Sequence, residues 1–92
     1  MSDEASKAST NAGSSKPGPI QPKRYFVTGS PGGGWAIFRE GEPKPLAQVP
    51  RKINALETAR TMARYNLPSE VIVEQEDGSY QIQYEFPLGT PV

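Results

Sequence analysis

Gly32-Gly33-Gly34-Trp35-Ala36-Ile37-Phe38-Arg39-Glu40-Gly41 is the stretch whose reading decides the fold. Glycines accept positive φ at no steric cost, so the first three residues read as a turn. Trp35 to Arg39 then reads as a short strand, and Glu40-Gly41 opens a second turn. Alternation places Trp35 and Ile37 on one face and Ala36 and Phe38 on the other. Both faces carry apolar groups, so the strand is expected either central in the sheet or covered on both sides. Trp35 is the only tryptophan, and it is expected as interior filler between the sheet and a helix.

Working outward, Arg24-Tyr25-Phe26-Val27-Thr28 is rich in aromatic and β-branched residues and reads as the partner strand of a hairpin. After Glu40-Gly41-Glu42-Pro43, residues Leu46 to Val49 read as a short third strand, best placed at an edge because Pro45 cannot donate to a ladder. Lys52 to Asn66 carries Ile53, Leu56, Ala59 and Ala63 at helical spacing, flanked by Ala55 and Met62, with Glu57, Arg60, Thr61 and Arg64 opposite. Asn54 and Glu57 have the spacing of a capping box, Asn66 suits a C-cap, and Pro68 ends the helix. The alanines let this helix lie close to a sheet. Glu70 to Gln75 reads as a fourth strand and Asp77-Gly78 as a tight hairpin turn. Tyr80 to Phe86 alternates without error, which places Tyr80, Ile82, Tyr84 and Phe86 inward and Gln81, Gln83 and Glu85 toward water. The fold class is therefore α+β: a mainly antiparallel sheet of four to five strands, in the order β-β-(β)-α-β-β, with one helix on one face.

The domain is expected to span residues 24–86. Residues 1–23 are mostly Ser, Ala, Gly, Pro, Lys and Asn and bury too little apolar surface to order, so they read as a disordered tail, and 87–92 as a short flexible one. A core of this size is marginal, and with no cysteine to staple it, self-association is a natural expectation. The absence of cysteine, of a signal-like leader and of a long apolar segment fits a cytoplasmic protein with no membrane role. Net charge is zero, but the signs are segregated. From Lys23 to Arg64 eight basic residues stand against three acidic ones, and from Tyr65 onward five acidic residues stand against none.

Little chemistry survives inspection. With neither His nor Cys, the commonest general base and the strongest nucleophile are missing, and the serines in turns have no base beside them. Glu74 to Glu85 has the length of a calcium loop, but Ser79 stands where glycine is required and strands flank it. Gly29 to Gly34 could cradle a phosphate, yet it leads into a strand and a hairpin turn accounts for it. The expectation is a domain that is not an enzyme and holds no metal or cofactor.

Gly33-Gly34-Trp35-Ala36, Arg39-Glu40-Gly41, the segments Ala55-Leu56-Glu57-Thr58-Ala59-Arg60 and Met62-Ala63-Arg64, and Asp77-Gly78 together resemble the bacterial family termed domain of unknown function 2188. The resemblance covers roughly Arg24 to Phe86. It departs at Arg51, where a Thr cap would be usual, and in the apolar final strand. It implies a fold and no activity.

Two functional readings remain. One is a protein-interaction or self-association module: a single helix covers one sheet face, leaving Phe26, Phe38 or Ile72 available on the other, and the basic and acidic halves are complementary. The less favoured alternative is a single-stranded nucleic-acid binder, in which aromatics stack bases inside a basic rim. The candidate surface residues are Arg39, Lys44, Arg51, Lys52, Arg60 and Arg64, with Phe26 and Phe38.

Overall fold

The computed structural model describes residues 21–91. Its elements in chain order are β1 (Lys23–Gly29), β2 (Trp35–Arg39), β3 (Ala47–Val49), α1 (Lys52–Arg64), β4 (Ser69–Glu74) and β5 (Tyr80–Phe86). The strands form one sheet in the order β3-β2-β1-β4-β5. All neighbours are antiparallel except β1 and β4, which run parallel. The α+β class and the single helix are as the sequence predicts. The parallel pair arises because α1 carries the chain from the β3 edge past β2 and β1 before β4 joins the sheet. Of the expected disordered tail, residues 1–20 lie outside the described residues, while Lys23 already belongs to β1.

The core lies between α1 and one face of the sheet. Tyr25 and Val27 from β1, Ile37 from β2 and Val71 and Val73 from β4 meet Ala55, Ala59 and Ala63 of the helix, all buried. Full burial of each Val or Ile contributes about 1.5–3 kcal/mol. The helix presents an i, i+4, i+8 alanine stripe, and the missing bulk is what allows its close approach to the strands. This corrects the expected inward face: Ile53 is 59% exposed, and Leu56 and Met62 sit at the flanks.

The caps also differ from expectation. Arg51 is the N-cap residue, extended and without a side-chain bond, so Asn54 lies inside the helix and forms no capping box. At the other end Tyr65 is the cap residue, Asn66 donates its side-chain amide to Met62 O at 2.8 Å, and buried Ser69 donates its hydroxyl to Ala63 O at 2.6 Å. Those side chains satisfy carbonyls that a helix end leaves without intrahelical partners.

Trp35 is only partly buried. It packs at the margin of the core with the Lys52 ammonium 5.2 Å from its ring centre, while Tyr25 takes the interior place expected for it. The strand β2 lies within the sheet, the first of the two expected placements, and α1 covers its Trp35/Ile37 side. At the other edge, β5 carries a bulge. Val71 pairs with Tyr84 but Ile72 pairs with Ile82, leaving Gln83 as the extra residue. Tyr84 and Phe86 therefore pack toward the helix, whereas Tyr80 and Ile82 turn to the opposite face. The expectation that all four face one way is overturned by that one residue.

Candidate functional site

The registers align a row of apolar side chains across the sheet on the face away from α1. Phe38 pairs with Phe26, Phe26 with Ile72, and Ile72 with Ile82. Strands lie about 4.8 Å apart, so this row crosses four strands and spans about 14 Å. Ile72, 7% exposed, forms its floor, and Ile82, 46% exposed, forms its outer end. Ala36 and Tyr80 adjoin the row, with the Tyr80 ring edge-on to Phe26 at 5.9 Å between centroids. No described helix or strand covers it.

Polar rows border it on both sides. Two residues toward one strand end, or three on β5 because of its bulge, lie Glu40, Arg24, Glu70 and Glu85: Arg24 pairs with Glu70, Glu70 with Glu85, and the Glu40 amide donates to Arg24 O. Arg24 is shared between two carboxylates, at 3.5 Å from Glu40 and 3.3 Å from Glu70. Two residues toward the other end lie Thr28 and Glu74. The Thr28 hydroxyl donates to Glu74 Oε1 at 2.5 Å, and the Gly29 amide donates to the same oxygen at 2.9 Å. The Thr28 hydroxyl, then the Gly29 amide, hold the Glu74 carboxyl below its ordinary pKa. Among the described strand and turn residues these registers place on the face, it thus carries Glu40, Glu70, Glu74 and Glu85 against Arg24.

The helix side has the opposite sign, and its cations lie on aromatic rings. Arg39 sits 5.6 Å from the Tyr25 centroid, Lys52 covers Trp35 and Arg60 sits 4.7 Å from the Tyr84 centroid. Arg64 reaches Pro91 O at 3.1 Å. Arg51 and Lys44 are exposed, at the helix start and in the β2–β3 loop. Of the residues singled out from sequence, the structure brings Phe26 and Phe38 together on the open face. It gathers Arg39, Lys52, Arg60 and Arg64 on the other. Phe26 and Phe38 and these four cations, expected on one surface, lie on opposite sides of the sheet.

Sequence reasoning missed Arg24, Glu70, Glu74, Ile82 and Tyr80. Ile72 and Ile82 were legible as apolar strand positions, but the bulge that joins Ile82 to the row leaves no compositional mark.

Other concavities lie off this row, one of about 720 Å³ beside the β4–β5 turn with Lys52, Glu76, Asp77 and Tyr80 in its lining. A depression of about 400 Å³ beside Trp35 is lined by Ser30, Gln48, Val49, Pro50 and the glycine turn, with no titratable group. Within that turn Ser30 N donates to Gly34 O and Gly33 N to Ser30 O, so these amides close the loop instead of facing an anion. The β4–β5 turn is organised by Asp77, whose carboxylate accepts from the Ser79 hydroxyl and amide and is thereby held below its ordinary pKa. Among the described residues, no cluster of three or more His, Cys, Asp or Glu side chains could hold a metal ion. No described helix is long and apolar enough to cross a membrane.

Fold and face define a small mixed-sheet α+β domain, covered by one helix on its cationic side and open on an apolar, acid-bordered side. The chain belongs to the DUF2188 family of uncharacterised proteins conserved in bacteria, whose family model matches residues 25–86. No curated protein and no solved structure matches it.

Proposed function

We propose that this domain is a non-catalytic protein-docking module that uses the helix-free face of its sheet. The observation that carries the reading is the apolar row Phe38–Phe26–Ile72–Ile82, continuous across four strands and left uncovered by every described element. Contiguous apolar surface with a polar border is what interaction sites present. The lack of His and Cys supports a role without catalysis. A cytoplasmic setting belongs to the same proposal, since a cysteine-free domain gains nothing from an oxidising compartment.

A photo-crosslinking amino acid placed at Ile82 or at Thr61, on the outer helix surface, tests the proposal inside the source cells. Protein adducts should form from position 82 and be absent or far weaker from position 61. Adducts confined to position 61, or crosslinks to nucleic acid alone, would refute it.

A further inference from the structure

We infer that the docking face receives a cationic, amphipathic helical segment of another protein. This rests on the docking reading and adds the chemistry of the partner. The polar rows lie four residues apart along β1 and β4, from Arg24 to Thr28 and from Glu70 to Glu74, about 13 Å at roughly 3.3 Å per residue. A helix about 10–12 Å across fits between them, and about nine or ten of its residues cover the 14 Å length of the apolar row at 1.5 Å each. Apolar side chains at i, i+3, i+4 and i+7 of such a segment meet Phe38, Phe26, Ile72 and Ile82. Its flanking Lys and Arg side chains then reach Glu40, Glu70 and Glu85 on one side and Glu74 on the other.

The charges select against the other occupants. A second copy packed face to face brings four carboxylates and one guanidinium onto the same set, with repulsion dominant. Phosphates of a nucleic acid meet the same carboxylates. On the helix side, where cations are plentiful, Tyr25, Trp35 and Tyr84 already carry Arg39, Lys52 and Arg60 on their rings, so those faces are closed to stacking bases. The positive helix side also repels a cationic segment, which steers it to the open face.

The test titrates the full chain into two fluorescent 14-residue helical peptides at low salt, read by anisotropy. Both carry Leu at the i, i+3, i+4, i+7 positions, one with Lys and one with Glu elsewhere. The Lys peptide should bind at least ~10-fold more tightly than the Glu peptide, with the preference shrinking several-fold as salt shortens the screening length from about 10 Å at 0.1 M to about 3 Å at 1 M. Glu40→Lys combined with Glu85→Lys, both exposed, should weaken the Lys peptide about 10-fold or more, given that like charges across an interface actively oppose binding. Ile82→Asp should abolish binding of both. If the charge-reversed variant binds the Lys peptide as wild type does while Ile82→Asp does not bind, the cationic assignment fails and the docking face stands. If Ile82→Asp binds unchanged, both fail. A dimer in sedimentation that Ile82→Asp dissociates would assign the face to a second copy and overturn the inference, as would tighter binding of a single-stranded oligonucleotide than of the Lys peptide.

Discussion

The glycine turn gives the sharpest quantitative prediction, because its consecutive glycines separate two physical effects. Gly32 has no positive φ and open space where a Cβ would stand. Gly33 has φ +98° and the same open space. Gly34 has φ +79°, and a Cβ there would stand 3.0 Å from the Val49 carbonyl oxygen of β3. Gly32→Ala should therefore be neutral or stabilise by about 0.4–1 kcal/mol through the unfolded chain. Gly33→Ala should cost about 1–2 kcal/mol, the strain of a left-handed L-residue. Gly34→Ala adds to that strain a collision with backbone of the next strand, and an overpacking cost of about 1–3 kcal/mol brings the total to about 2–5 kcal/mol.

For a domain of this size each kcal/mol lowers Tm by about 4–8 °C, so the three variants should separate clearly. Thermal and urea unfolding followed by Trp35 emission and by far-ultraviolet circular dichroism read the series. The same order should appear in both probes. A Gly34→Ala protein as stable as Gly32→Ala would refute the positive-φ turn and the close β2–β3 approach together. Equal losses at Gly33 and Gly34 would refute only the approach to Val49.

Ser69→Ala should destabilise by about 1–2 kcal/mol in urea melts, because the buried hydroxyl's bond to Ala63 O is lost at the helix end. Ile53→Ser should change stability by less than about 0.5 kcal/mol, since the side chain is exposed; a loss of several times that would restore Ile53 to the core. The folded pKa of Glu74 lies below its unfolded value, so its contribution to stability is present above the unfolded pKa and is lost as pH falls through the folded one. Acid unfolding of Glu74→Gln should show a shallower pH dependence through that window, and Thr28→Val should raise the Glu74 pKa in a carboxyl NMR titration. An unchanged titration would remove Thr28 as its main cause.

Features read from local chemistry emerged where expected. Asp77-Gly78 makes its turn with Gly78 at φ +87°, and Trp35/Ile37 and Ala36/Phe38 fall on opposite faces. What escaped was set by neighbours distant in sequence. Nothing in Ser69 to Glu74 specifies that its partner is β1 in parallel, because the apolar run Val71-Ile72-Val73 at its centre pairs equally well either way. The inward helix face was misread because Ile53 outranks Ala55 in hydrophobicity, whereas proximity to the sheet rewards the smaller side chain. Charge segregation was visible along the chain, but folding converts it into opposition between faces: Glu40 from the basic half joins Glu70, Glu74 and Glu85 around the apolar row.

The bulge in β5 links fold to site most directly, and it can be tested by shortening the chain. In a regular strand, deleting one residue reverses the facing of every residue on one side of the cut. At Gln83 the structure demands the contrary. Tyr84 is opposite Val71 and Ile82 is opposite Ile72, so removing Gln83 leaves both pairings in place and merely makes the strand regular. The deletion should fold with stability within about 1 kcal/mol of wild type, a surface-sized effect, and should retain binding of the Lys peptide. Deleting Gln81 instead forces Tyr80 to the helix side and shifts the Asp77-Gly78 turn against β4, so it should lower stability by several-fold more and abolish binding. If deleting Gln83 proves as damaging as deleting Gln81, then Tyr80 to Phe86 alternates as its sequence suggests, Ile82 faces the helix, and the apolar row ends at Ile72.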